Sequence, residues 1–206
     1  MSAAAMNPSL DRWLPIARDV EARGWSCQDG LIDAELIAEL RAEAQRAHHQ
    51  GDFHLGAVGG GAARALRPTI RSDEIWWLAA HNSPALARLA GMLEALRLVL
   101  NRELQLGLFG HEAHFARFAP GAFYARHLDQ PTTSRQRILS CALYLNPDWL
   151  ESHGGAMRLY IGAGQFVDVL PRAGRLAIFL SDRFEHEVLP ASRERWSLTM
   201  WFLGRD

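Results

Sequence analysis

From about residue 111 onward the hydrophobic pattern of this chain repeats every two residues, and no helical period interrupts it. HEAHFARF, FYARHLD, RILSCALYLN, AMRLYI, QFVDVLP, RLAIFLS, HEVLPA and RWSLTMWFL are short alternating or apolar runs. Turn-forming residues separate them, among them Pro120-Gly121, QPTTS at 130–134, Asn146-Pro147-Asp148 and Gly162-Ala163-Gly164. Residues two apart share one face of a strand, so these runs read as strands with one face buried. About eight strands at this spacing, without helices between them, predict an antiparallel sandwich or barrel of the double-stranded β-helix (jelly-roll) type.

The first third has a different period. Leu36, Ile37 and Leu40 follow Asp33, a residue suited to capping, and predict a helix to about His48. Ser83-Pro84 is a helix-start signal, and Leu86, Leu89, Leu93, Leu96 and Leu100 then mark an amphipathic helix to about residue 102. Between these helices, Gly59, Gly60 and Gly61 place a flexible loop over 56–70, read either as a lid beside a site or as a plain surface loop. The predicted class is therefore α+β: one domain over 1–206, with helical support over about 1–105 buttressing a jelly-roll core over about 106–204.

Composition removes several functions. The formal net charge is −1, which leaves no basic footprint for nucleic acid. All 22 basic residues are Arg, so Schiff-base and P-loop lysine chemistry are excluded. Cys27 and Cys141 stand far apart and form no CxxC, which reads as a reduced, cytoplasmic chain. The N-terminus lacks a signal-peptide pattern, and the apolar stretches fall short of the ~18 residues of a membrane span, so no membrane partner is expected.

The chemistry concentrates in His127, Asp129 and His186. On a strand, His127 and Asp129 face the barrel interior while Leu128 faces out, and His186 opens a later strand whose end converges on the same mouth. Two imidazoles and a carboxylate are the facial set that suits non-haem Fe(II) and leaves positions open for chemistry. Structural zinc in the same ligands is disfavoured, because such sites are closed by four protein ligands. His111 and His114 are three apart and face opposite ways, His48 and His49 end a helix, where a cation-capable residue is ordinary, and His54, His81 and His153 sit in loops without ligand spacing; all read as structural or solvated.

Arg193 and Arg195 both precede the last strand, and Arg195, Ser197, Thr199 and Trp201 share parity on it and would line one face, which puts Arg195 into the pocket. A buried Arg needs an anion. That anion is either a carboxylate of the chain itself or an external carboxylate, helped by a hydroxyl such as that of Tyr144.

The stretch YARHLDQP…RILSCALYLNPDW…GGAMRLY…DVLP…SDRFEHEVLPASRERWSLTMWF resembles the prolyl-hydroxylase branch of the 2-oxoglutarate- and Fe(II)-dependent oxygenases, over roughly 111–203 with a weaker echo at TIRSDEIWWL. The resemblance implies His127, Asp129 and His186 as iron ligands. It implies Arg195 as the clamp on the distal carboxylate of 2-oxoglutarate, with Tyr144 bonding the same carboxylate and Thr199 on the same wall. Trp201 and Arg137 match residues near the target proline, and Arg71 and Asp73 match a pair beside the loop that closes over substrate. Phe118 stands where relatives often carry Tyr, so one hydroxyl is missing. The implied cofactors are Fe(II), 2-oxoglutarate and O2, with ascorbate as an accessory reductant. The implied reaction hydroxylates a proline-containing target protein and releases succinate and CO2. Rival readings are the same chemistry on a free amino acid or small metabolite, and a sensing module without turnover.

Overall fold

The computed structural model describes residues 8–59, 65–78, 83–130 and 136–205. In chain order the elements are α1 (Pro8–Asp11), α2 (Leu14–Arg23), β1 (Trp25–Gln28), α3 (Ala34–Gln50), β2 (His54–Leu55), β3 (Glu74–Trp77), α4 (Pro84–Leu104), β4 (Gly110–Phe118) and β5 (Tyr124–His127). There follow β6 (Arg137–Tyr144), β7 (Met157–Gly162), β8 (Gln165–Val169), β9 (Leu176–Leu180), β10 (His186–Val188) and β11 (Arg195–Leu203). The eight strands expected from the two-residue period are all present. They form two antiparallel sheets, one ordered β1-β9-β6-β11-β4-β3-β2 and a smaller one ordered β5-β10-β7-β8.

Strand parity builds the layers. On β11, Trp196, Leu198, Met200 and Phe202 pack under the helices, while Arg195, Ser197, Thr199 and Trp201 line a cavity on the opposite face. β4 sends Phe115 to the helical side and His114, Ala116 and Phe118 to the cavity. Leu139 and Leu143 of β6 and Leu176 and Ile178 of β9 join the helical core, and Tyr144, Ala177 and Phe179 join a second core between the sheets.

The helices close the outer face of the large sheet. Ser83 caps α4 by accepting from the Leu86 amide at 3.3 Å, and Leu86, Leu89, Leu93, Leu96 and Leu100 are all buried. Burying each such leucine stabilises the fold by roughly 1.5–3 kcal/mol, which makes the sheet face and the helix stripe mutually dependent. Asp33 precedes α3 in an extended conformation, but its side chain makes no cap hydrogen bond.

The first third is less helical than its period suggests. β1 pairs with β9, and β3 pairs with β4 and β2, so three short strands from this segment extend the large sheet at both edges. His54 belongs to β2 rather than to a loop. Gly60 and Gly61 of the expected loop, His81, and residues 131–134 of QPTTS lie outside the described residues. No helix among the described residues is long and apolar enough to cross a membrane.

Candidate functional site

A cavity of about 460 Å3 opens between the two sheets. His127 ends β5 and His186 begins β10, and the two are direct partners across the antiparallel pair, with ring centroids 4.3 Å apart. Asp129 lies just past the end of β5. One carboxylate oxygen stands 3.6 Å from His127 Nε2 and the other 3.6 Å from His186 Nε2. Leu128 between them is exposed, as the parity required. The three possible ligand atoms lie within 4.8 Å of one another.

The backbone turns both imidazoles to present Nε2. His127 Nδ1 lies 2.7 Å from the Ala125 carbonyl and His186 Nδ1 lies 3.4 Å from that of Phe184. A carbonyl only accepts, so each Nδ1 carries the proton and leaves Nε2 bare for a metal. Burial pushes the His186 pKa down to about 4, a neutral ligand being what a cation requires. Burial alone would raise the Asp129 carboxyl, but His186, His127 and Ser140 outweigh it and keep it ionised. The trio thus offers two imidazole nitrogens and one anionic oxygen on one side, which fits Fe(II).

His127 is braced from behind. Tyr124 stacks on it at 3.6 Å between centroids, and the Arg71 guanidinium lies 4.3 Å from the Tyr124 ring. Arg71 grips Asp73, which is 1% exposed, with Nε 2.7 Å from Oδ1. Gly56 makes this possible: a Cβ there would stand 2.4 Å from Arg71 Nε. The Gly56 amide also donates to the Asp73 carbonyl at 2.8 Å, so residues 56–59 rest on the Arg71–Asp73 pair.

Arg195 occupies another wall of the cavity and is 2% exposed. Its Nε donates to the Gly155 carbonyl at 3.0 Å and its Nη1 to Ser197 Oγ at 3.3 Å. Among the described residues no carboxylate pairs with it, so the internal ion pair that the sequence left open is absent. Tyr144 sits behind Arg195 rather than on the cavity lining, and its buried hydroxyl makes no hydrogen bond. Burial pushes that hydroxyl up to about 12, so it stays protonated as a donor. A buried cation with no carboxylate partner among the described residues stands beside a buried hydroxyl with no acceptor, a combination that suits a bound carboxylate. Phe118 lies under Arg195 at 4.9 Å and adds only an apolar face.

Thr199, Trp201, Arg137, Arg71 and Asp73 all line the same cavity, whereas Arg193 is half-buried away from that lining, with its guanidinium over Trp149. Sequence reasoning set His114 aside as structural or solvated, yet it lies on the cavity wall, 4% exposed. Its signal was parity: it precedes Phe118 by four residues on one strand and therefore shares its face.

Comparison with known proteins gives this geometry its family. The model of the 2OG-Fe(II) oxygenase superfamily matches residues 113–203. The chain is 32% identical to prolyl hydroxylase EGLN3 of Mus musculus, covering 96% of this chain and 84% of that protein. It is 26% identical to a hypoxia-inducible factor prolyl hydroxylase of Caenorhabditis elegans, covering 93% of this chain but spanning 28% of that protein's length. A Pseudomonas putida prolyl-4-hydroxylase structure superposes with a TM-score of 0.86 at 39% identity, covering 94% of this chain and all of the other. The chain belongs to the 2-oxoglutarate- and Fe(II)-dependent oxygenases, in the branch that contains the prolyl hydroxylases.

Proposed function

We propose that this protein hydroxylates a prolyl residue of a target protein, using Fe(II), 2-oxoglutarate and O2. The observation that carries the reading is the pairing, in one cavity, of a His127–Asp129–His186 set with a buried Arg195 that has no counter-ion among the described residues. The bound iron and 2-oxo acid supply oxidising chemistry, in which O2 is consumed, the 2-oxo acid gives succinate and CO2, and a substrate C–H becomes C–OH.

The chain's own residues set the geometry. His127, Asp129 and His186 would hold the metal, which would supply the site at which co-substrate and O2 react. Arg195 holds the distal carboxylate, Tyr144 approaches it from behind, and Thr199 closes the wall beside it. Arg137 and Trp201 contact the target ring, their own pairing keeping both in place at 3.7 Å. Arg71 and Asp73 anchor residues 56–59, which cover the substrate. The catalytic gain lies in orientation and exclusion of water, which keep one C–H near the oxidant and suppress idle turnover. Cys27 and Cys141 are unpaired, which fits a reducing compartment, and we place the enzyme in the cytoplasm.

The test offers proline-containing peptides and proteins to the iron-loaded enzyme and follows O2 uptake, succinate and product mass. Gain of one oxygen on proline, coupled to succinate, is expected. Turnover confined to a free amino acid or small metabolite would replace the substrate reading, and absence of any succinate would remove the enzymatic one.

A further inference from the structure

Two serine hydroxyls stand behind the candidate metal ligands, buried and bonded to each other. Ser140 of β6 is 1% exposed and Ser181, just past β9, is 0% exposed, and their Oγ atoms lie 2.8 Å apart. Alternation along β6 turns Ser140 and Ala142 to the cavity while Leu139 and Leu143 pack under the helices. Ser140 is paired with Trp201 of β11 on one side and Phe179 of β9 on the other, and the Phe179 ring lies 4.7 Å from that of His186. The Ser140 hydroxyl also bonds the Asp129 carboxylate and helps to keep it ionised. Ser181 reaches the same segment through its backbone. Its carbonyl accepts the Gln130 amide at 3.3 Å, and its amide donates to the Ile138 carbonyl at 3.0 Å. The bend that carries Asp129 past the end of β5 is thus tied to β6 and β9 at one side-chain and one backbone point.

Counting protons gives the chain of hydroxyls a direction. An ionised carboxylate only accepts, and a serine hydroxyl carries one proton. The Ser140 proton therefore points at Asp129, and Ser181 is the donor in the bond between the serines. The result runs one way, from Ser181 to Ser140 to Asp129. In a buried setting such consecutive bonds polarise one another, and a charged acceptor strengthens them. A carboxylate can bind a metal through one oxygen or through both. A hydroxyl that holds one oxygen leaves the other for the metal, and so keeps a coordination position open.

Resting on the reading of His127, Asp129 and His186 as metal ligands, we propose that Ser140 is a positioning residue for the iron centre. It holds the Asp129 oxygen that faces away from the metal, and Ser181 orients it, so that the aspartate binds through one oxygen only.

The test measures metal binding by the full chain, without turnover. Co(II) is titrated, in competition with a chromophoric chelator, into wild-type, Ser140→Ala, Ser140→Thr, Ser181→Ala and doubly alanine-substituted proteins. The visible spectrum of each Co(II) form is recorded as well, because its bands report the geometry around the ion. Loss of the hydrogen bond to a metal ligand weakens Co(II) binding in Ser140→Ala about 10- to 100-fold and alters the intensity of these bands. Threonine keeps the hydroxyl and restores both. Ser181→Ala removes only the support behind Ser140 and weakens binding roughly two- to tenfold. Added to Ser140→Ala it brings no further loss, because the chain is already cut. A folded Ser140→Ala protein with the affinity and spectrum of the wild type overturns the proposal, and so does an additive loss in the double variant. Should Ser140→Ala fail to fold, Ser181→Ala decides, and unchanged affinity there overturns it. A wild-type protein that binds Co(II) no more tightly than His127→Ala overturns the metal-site reading itself, and the proposal with it.

Discussion

His186 lies directly opposite His127 across the β5–β10 pair, so the hydrogen-bonding ladder of the small sheet fixes the distance between two nitrogens that a metal must share. Asp129 completes the set from just beyond the strand end, its two oxygens each 3.6 Å from one imidazole. Register fixes the two imidazoles, and the bend just past β5 adds the carboxylate.

Removing one member therefore removes the metal without unfolding the sheet. His127→Ala and Asp129→Ala are expected to lose bound Fe(II) or Co(II) by metal analysis and to form no succinate. Their circular dichroism should match that of the wild-type protein. A variant that still binds one metal per chain would show that other residues hold it.

Arg195 makes a different prediction, about the co-substrate alone. Its guanidinium is buried with no paired carboxylate among the described residues, and a lysine cannot reproduce a planar two-point grip. Arg195→Lys should raise the KM for 2-oxoglutarate at least about tenfold, and Arg195→Met more. A dicarboxylate at one hundred times its Kd stabilises the wild-type protein by about 2.7 kcal/mol, and the methionine variant should show little of that rise in Tm.

Phe118→Tyr tests the missing hydroxyl. Phe118 is the β4 partner of Arg195 in the sheet and lies beneath its guanidinium. A hydroxyl there would meet the carboxylate that Arg195 attracts, so 2-oxoglutarate KM is expected to fall severalfold with kcat little changed. A raised KM, or loss of Tm, would mean that the wall has no room for the added atom.

Much of this site could be read from the sequence because the two-residue period assigns faces. The parity of Arg195, Ser197, Thr199 and Trp201 placed four cavity residues, and the same rule turned the Leu128 side chain toward solvent. β1, β2 and β3 were not legible. They have four, two and four residues, too few to alternate visibly, and partner strands rather than their own pattern hold them. The environment of His114 escaped for a related reason. Parity gives its face, but the aromatic neighbours that bury it come from β3 and β11, far away in the chain. The packing of Gly56 on Arg71 was equally hidden, since a glycine signals freedom and not what it must avoid.

His114 also carries a pH signature. Burial lowers its pKa from 6.5 to about 3, so on acidification the unfolded chain binds the proton first. The stability this group confers is therefore complete above pH 6.5 and is lost as pH falls toward 3, with a limiting slope of about 1.4 kcal/mol per pH unit. In His114→Leu that slope is absent, and urea midpoints measured between pH 4 and 7 should decline less than in the wild type. Equal declines would show that His114 gains water or a partner in solution.

The Arg71–Asp73 pair sets the last expectation. Asp73 is 1% exposed, so Arg71→Ala leaves a buried carboxylate without its cation, a loss of about 3–5 kcal/mol where a pair is broken on one side only. Arg71→Met with Asp73→Leu removes both charges and should recover most of that stability. Recovery of fold need not bring recovery of function, because Arg71 also covers Tyr124, which stacks on His127, and supports residues 56–59. Hydrogen exchange over 56–59 should accelerate in the double variant and in Gly56→Ala, whose added Cβ would stand 2.4 Å from Arg71 Nε. Peptide KM should rise in both while 2-oxoglutarate KM stays near wild type, since Arg195 is untouched. A parallel rise of both constants would mean that the stack on His127, and not the cover over the substrate, is what the pair maintains.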